Sequence, residues 1–219
     1  MKFTFLFLSV LLSTFSFGQQ KEGHISYLIT YSSELPELKS QLAMMEGSYM
    51  EVYFKNYTTK TELAMGTLMK MITISNSETD NLLMLMSGAA GERAVKTTIK
   101  EVVAADGDTI EPILKFENVT KEVLGFKCKK VTQTDQDGSV TIMWYTEDIA
   151  IDMSGQKNLI AKIPGVPLLY EISQNGVNMV ISAYKMDKKI GKNTDEIFNF
   201  SIPAGYTEMT LEEMKSMEQ

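Results

Sequence analysis

The sequence predicts a mainly β protein built on one large, curved antiparallel sheet: a half-open barrel of about 11 strands with one or two short helices. Short β-branched and aromatic runs alternate with turn-forming residues along most of the chain, a spacing typical of a strand meander. Two dipeptides, Asp137-Gly138 and Asn175-Gly176, separate such runs and favour tight hairpins. Because flat sheets of more than roughly ten strands tend to curl, a sheet of this size is expected to be curved.

The first predicted strand covers residues 23–31, where Ile, Tyr, Ile and Tyr occupy alternate positions and would share one sheet face. Ser33 can then begin a short helix, in which Pro36 is tolerated only in the first turn. The apolar residues of this helix recur at helical spacing, at Leu35, Leu38, Leu42 and Met45. This stripe predicts a lid packed on the sheet.

The remaining strands are predicted where apolar or alternating runs lie between turn formers. The runs are residues 49–55, 59–65, 68–75, 81–87, 93–100, 113–122, 126–134, 139–146, 167–174, 177–185 and 196–202. Residues 105–108 are predicted to form a turn. Thr210 and Glu213 form a capping box, which predicts a short terminal helix.

The first 18 residues have the layout of a secretory signal peptide. Lys2 is followed by an apolar run from Phe3 to Leu12, and Ser16 and Gly18 provide small residues before a cut. The expected organisation is therefore a signal peptide at 1–18 and a single half-barrel domain at 19–219. No Cys lies near the cut to carry a lipid, and no second segment approaches membrane-spanning length. We expect an exported protein of the periplasm or the cell exterior, without a lipid anchor.

Charge and composition exclude several classes of function. The chain has 21 Lys and Arg against 28 Asp and Glu, a net charge of −7, which disfavours nucleic acid as a partner. Cys128 and His24 are the only Cys and His, so the usual zinc sites and Ser-His-Asp triads are not expected. We expect His24 to be exposed at a strand edge and Cys128 to be a half-buried structural residue. The leading interpretation of the sequence therefore has no enzyme activity, no cofactor and no metal site.

The chain contains 16 Met residues, several times ordinary usage. Met69 and Met71 share a face of one predicted strand, and Met84 and Met86 share a face of the next. Three interpretations remain open for them: core filling, an adaptable apolar groove, and soft thioether ligands for Cu(I). Strands that are apolar on both faces, including the one with Trp144, favour a groove because each apolar face requires cover.

Several segments together resemble the family of exported proteins that contain the domain of unknown function 4412. They are GHISYLITY, YFKN, TELAMG, MKMITI, LLMLMSG, GFKCKK, DGSVTIMWYTEDI, IPGVPLLYEI and FNFSIPAGYTEMT. The part from GFKCKK to IPGVPLLYEI is also similar to the GLPGLI family. The resemblance implies a fold like that of Lol-type lipoprotein carriers, with an apolar concave face partly closed by helices. It brings no family active site.

These observations lead to a hypothesis of non-enzymatic binding. The protein would hold a lipid or another hydrophobic molecule on its concave sheet, with Met69, Met71, Met84, Met86 and Trp144 as the ligand-binding residues. An alternative is an envelope scaffold or adaptor that docks a protein partner through an apolar sheet face. A third is a Met-based Cu(I) carrier.

Overall fold

The computed structural model describes residues 19–89, 91–105, 111–152, 162–191 and 193–216. These residues form one curved, open, mainly antiparallel sheet of 12 strands, which confirms the predicted fold class. The strands are β1 (Glu22–Ser32), β2 (Tyr49–Lys55), β3 (Thr58–Met65), β4 (Met69–Asn76), β5 (Asn81–Gly88), β6 (Arg93–Thr98), β7 (Ile113–Val123), β8 (Phe126–Thr134), β9 (Val140–Thr146), β10 (Val166–Gln174), β11 (Val177–Asp187) and β12 (Thr207–Met209).

The spatial order of the strands is β12-β6-β5-β4-β3-β2-β1-β11-β10-β9-β8-β7. Two antiparallel meanders, β1–β6 and β7–β11, are joined where β1 pairs with β11. The predicted hairpin at Asn175-Gly176 is confirmed, since both residues have positive φ and join β10 directly to β11. Asp137-Gly138 lies in the connection between β8 and β9. Only β12 pairs in parallel, with β6.

The helices in the described part of the chain are short. A 3₁₀ turn (Pro36–Leu38) leads into α1 (Lys39–Met44), and α2 (Ile99–Ala105), α3 (Thr194–Ile197) and α4 (Leu211–Ser216) follow. The predicted capping box opens α4: the Glu213 amide donates to Thr210 Oγ1 at 3.1 Å, and the Thr210 amide donates to Glu213 Oε2 at 2.7 Å.

Two of the sequence-based boundaries are wrong. The predicted strand at 196–202 is replaced by the end of α3 and by irregular chain, because Asn193 and the acidic first turn favour a helix start there. The predicted strand at 93–100 ends at Thr98, and α2 begins at Ile99. A second capping box stops it, since the Glu101 amide donates to Thr98 Oγ1 and the Thr98 amide donates to Glu101 Oε2.

The sheet curls strongly towards the face that carries Ile25, Tyr27 and Val52, which we call the inner face. The Tyr27 hydroxyl donates to the Pro167 carbonyl at 3.0 Å, although β11 lies between their strands. Cys128 of β8 belongs to the same buried cluster as Tyr27, whereas in a flat sheet β8 and β1 would be about 19 Å apart. The inner face of β1, β2 and β8–β11 therefore forms the main hydrophobic core.

A segment after β9 crosses this inner core. Ile149, which is fully buried, pairs with Gln20, and the Ala150 amide donates to the Gln20 carbonyl at 2.9 Å. Asp152 then accepts hydrogen bonds from Thr59 of β3 and from Ser77 beyond β4. The chain returns to the sheet through Ile163, which packs in the same core.

The C-terminal part of the chain covers the outer face of β4–β6. On that face Leu83 is fully buried and Leu85 is 6 % exposed, because Phe200, Ile202 and Tyr206 pack against them. β5 is therefore apolar on both faces for a structural reason, since its outer residues are covered by this chain itself.

Candidate functional site

The four predicted methionines lie together on the inner face. The register pairs Met71 directly with Met86, and it pairs Met84 with Thr73 and Met69 with Met65. The same register continues through Thr61 to Val52 of the main core. We call Met69, Met71, Met84 and Met86 the methionine surface.

The methionine surface is partly accessible, whereas the apolar residues at one end of it are not. Met69 is 37 % exposed, and the other three are partly buried. On the same face Leu82 is 3 % exposed and Val95 is fully buried. Closely packed apolar residues at one end therefore adjoin unbranched thioether side chains, which can adapt to molecules of different shape.

Sequence reasoning missed three residues that extend this surface. Met50, Leu63 and Met65 share its face, because Met50 pairs with Leu63 and Leu63 pairs with Met71. Counting positions outward from the short β2–β3 and β3–β4 turns would have shown this, since cross-strand partners in a ladder share a face.

The segment of residues 33–48, which the sequence predicts to be a lid packed on the sheet, bridges the ends of two hairpins. Its Leu35 side chain lies against Gly176 of the β10–β11 turn, and its Met44 carbonyl accepts the Thr67 amide of the β3–β4 turn at 3.2 Å. The helix itself buries no residue, and Met44 is 51 % exposed. This helix therefore packs on the sheet less closely than its apolar stripe predicts.

Trp144 does not lie with the methionine surface. Its strand partners are Lys130 and Leu169, and it points to the outer face, whereas its neighbour Met143 points to the inner one. β9 is also separated from β4 by five strands. The Lys121 ammonium lies 5.5 Å from the centre of the indole ring, and the buried indole N–H has no hydrogen-bond partner among the described residues. The structure thus assigns Trp144 to a different part of the sheet.

The middle of the outer face is charged and hydrogen-bonded. His24 stacks on Tyr53 with ring centres 4.0 Å apart, and its Nε2 lies 2.5 Å from Glu51 Oε2. The expectation that His24 is exposed at a strand edge is wrong, because β1 is central and the side chain is only 17 % exposed. The two faces of the central sheet therefore differ sharply in polarity.

Glu62 is the centre of a second ionic group on the outer face. Its carboxylate accepts from Lys60 at 2.8 Å and from Lys70 at 2.7 Å. Burial alone would raise the pKa of Glu62, but the hydrogen bonds and charges of the two lysines hold that pKa below its usual value. The carboxylate is therefore ionised and fixed at neutral pH.

Cys128 is a core residue. The side chain is fully buried, which is deeper than the half-buried position expected from sequence, and burial raises the pKa of its thiol to about 11. A protonated, inaccessible thiol is a poor nucleophile.

The described residues contain no group of three or more His, Cys, Asp or Glu placed to hold a metal ion. No helix among them is long and apolar enough to cross a membrane.

Fold and site together define an open, curved-sheet protein with an apolar inner face and an outer face that is charged in its middle. Residues 37–206 match the family model of the domain of unknown function DUF4412, so the chain belongs to this family, as the sequence resemblance indicates. No curated protein matches the chain by sequence.

Solved structures provide a further comparison. A structure of PNGF-II aligns with 90 % of this chain at 15 % identity and a TM-score of 0.53, and the likeness concerns the fold alone. The alignment spans only 33 % of the PNGF-II chain. LprF from Mycobacterium bovis aligns over 86 % of this chain and 91 % of its own, at 10 % identity and a TM-score of 0.26. A LolA superfamily protein from Nitrosomonas europaea aligns over 82 % and 90 %, at 11 % identity and a TM-score of 0.23. TM-scores this low do not define a shared fold.

Proposed function

We propose that the protein is a non-enzymatic binding protein of the cell envelope that holds a lipid or another hydrophobic molecule against its inner face. The observation that carries the proposal is the register that places Met69, Met71, Met84 and Met86 on one partly exposed face. Trp144, on the opposite face, is not part of the proposed site. Export through a signal peptide at 1–18 belongs to the same proposal, and the N-terminal sequence of the secreted protein would test it.

The burial pattern supports a ligand surface over simple core filling. In the main core Tyr27, Phe54 and Met143 are each at most 2 % exposed. Of the methionine surface, by contrast, none is buried and one is exposed. Apolar side chains that the protein's own packing leaves partly open gain stability when a hydrophobic molecule covers them, by about 25 cal/mol per Å² of apolar area removed from water.

The alternative of a protein adaptor that docks through an apolar outer face has less support. The outer apolar residues Leu83 and Leu85 are already covered by the C-terminal segment. The central outer face carries the Glu62 ion pairs instead. A protein partner would therefore meet charged side chains there. The apolar outer residues that suggested this alternative need no partner, because the chain itself covers them.

A Cu(I) carrier is the second candidate, because Met71 and Met86 are direct cross-strand partners and thioethers are suitable Cu(I) ligands. Replacing all four methionines by leucine separates the two functions. Leucine keeps the apolar area but has no sulfur, so a hydrophobic site keeps its ligand while a copper site loses it.

The main experiment is native mass spectrometry of the protein purified from its own envelope, followed by titration with a fluorescent fatty acid. We expect a bound hydrophobic molecule or saturable uptake of the probe. The double variant Met71→Gln, Met86→Gln should bind the probe about tenfold more weakly, because buried amides without partners cost about 1–3 kcal/mol.

The Met→Leu quadruple variant is the matched control and should retain uptake. Thermal unfolding of each variant checks that the fold survives. An apo mass together with no uptake by the wild type would contradict the proposal, and tight Cu(I) binding that the leucine variant loses would favour the copper carrier.

A further inference from the structure

Arg93 is the only arginine of the chain, and it lies at the edge of the methionine surface. It is the direct cross-strand partner of Met86, so its side chain is on the inner face. On its other side it pairs with Thr207 of β12. The Arg93 guanidinium, which is permanently charged, therefore lies beside an apolar surface in a protein with a net charge of −7.

The Arg93 guanidinium lacks a carboxylate partner among the described residues. Its hydrogen bond there is to a neutral acceptor, the Glu92 carbonyl, at 3.3 Å. Three lysines on the outer face differ in this respect, since Lys60, Lys70 and Lys130 each lie within 3.0 Å of a carboxylate oxygen. Arg93 is also partly buried, so its charge is less well hydrated than that of a fully exposed side chain.

We infer that Arg93 binds the anionic head group of an amphiphile whose apolar chain lies on the methionine surface. Guanidinium presents a planar pair of N–H donors that matches a carboxylate or a phosphate, and such charge-assisted hydrogen bonds are about twice as strong as neutral ones. The head group would lie beside Met86, and the chain would extend from there across Met71 and Met84. This inference rests on the proposed function and narrows its ligand class from any hydrophobe to an anionic amphiphile.

Lys96 provides an internal comparison on the same strand. It is exposed and, as the partner of Leu83, lies on the outer face. Removal of either side chain's charge changes the net charge by the same amount. Only the Arg93 charge is on the face of the proposed ligand. A general electrostatic effect would therefore weaken anion binding equally in both variants, whereas a head-group contact would weaken it only when Arg93 is replaced.

Isothermal titration with three ligands of one chain length tests the inference: dodecanoate and dodecyl phosphate, each below its micelle concentration, and dodecanol below its solubility limit. We expect the wild-type protein to bind one or both anions at least tenfold more tightly than the alcohol. The relative affinity of the two anions distinguishes a carboxylate from a phosphate head group.

Arg93→Gln should reduce the preference for the anion over the alcohol to about twofold or less, while Lys96→Gln should leave the wild-type preference. Arg93→Lys keeps the charge but not the planar donor pair, and is expected to fall between the two. Equal binding of anions and alcohol by the wild type, or the same loss in both Gln variants, would overturn the Arg93 assignment alone. If none of the three ligands binds, the proposed function fails with it.

Discussion

Gly66 offers a direct test of how the segment of residues 33–48 is held on the sheet. It lies in the β3–β4 turn with a φ of +52°, and a Cβ added to it would lie 2.0 Å from the Met44 carbonyl oxygen. The neighbouring Thr67 amide donates to that same carbonyl. Gly66→Ala should therefore push the segment away from the turn.

The expected cost has two parts. A left-handed backbone costs a non-glycine residue about 1–2 kcal/mol, and this alone is tolerable, because Asn56 and Leu124 both have a φ of 52°. The contact with the Met44 carbonyl adds to it, since backbone and not a flexible side chain must move. We expect a total of about 3 kcal/mol, which lowers Tm by roughly 6–12 °C for a chain of this size.

Thermal unfolding followed by circular dichroism measures the effect, with Gly125→Ala as the matched control. Gly125 has a φ of +79° and nothing within 4 Å of the added Cβ, so this variant should lose only the backbone cost of about 1–2 kcal/mol, which lowers Tm by roughly 2–8 °C. Amide exchange at Thr67 gives a second readout, and it should become faster in Gly66→Ala only. Equal Tm shifts together with unchanged exchange at Thr67 would refute the close approach of Met44 to the turn.

Two further predictions concern the titrating groups. Because burial raises the pKa of the Cys128 thiol to about 11, alkylation by iodoacetamide at pH 8 should be at least about 100-fold slower in the native protein than in urea; similar rates would contradict the buried position. Glu62→Gln should cost about 1–2 kcal/mol at pH 7, because two lysines lose a charged acceptor. The pKa of Glu62 is lowered in the folded state, so its contribution is present above the unfolded pKa of about 4.3 and is lost as the pH falls through the folded value. Denaturant titrations of both proteins at pH 7 and pH 3 should show the difference shrinking at the lower pH, and a difference that grows on acidification would contradict the assignment.

The strand pattern was readable from sequence because it depends on local information. Alternation, Asn175-Gly176 and the capping box at Thr210 each act within a few residues, and the structure confirms all three. The missed α2 carried the same kind of signal, since Thr98 and Glu101 form a capping box as well. It was hidden by the β-branched residues around it, which favour a strand.

The position of the site depends on which strands pair and in which register, and the sequence alone does not reveal this. Same-face pairs within β4 and within β5 follow from a period of two, but their alignment with each other requires the register between strands. Trp144 shows the limit most clearly. Its strand is apolar on both faces, so nothing local indicates which side faces inward, and only the pairing with Lys130 and Leu169 decides it.

The pairing of β1 with β11 has a consequence for how the chain folds. Ile25 pairs with Met186, so the middle of the sheet joins the two ends of the sequence, and contacts of such high separation slow folding. While the chain is being synthesised from its N-terminus, β1–β6 can assemble as a meander, but one edge of β1 stays unpaired until β11 is available. That edge carries Ile25, Tyr27 and Ile29, the kind of bare apolar strand that recruits other chains. A newly synthesised chain is therefore expected to be most prone to aggregation before β11 is available to pair with β1.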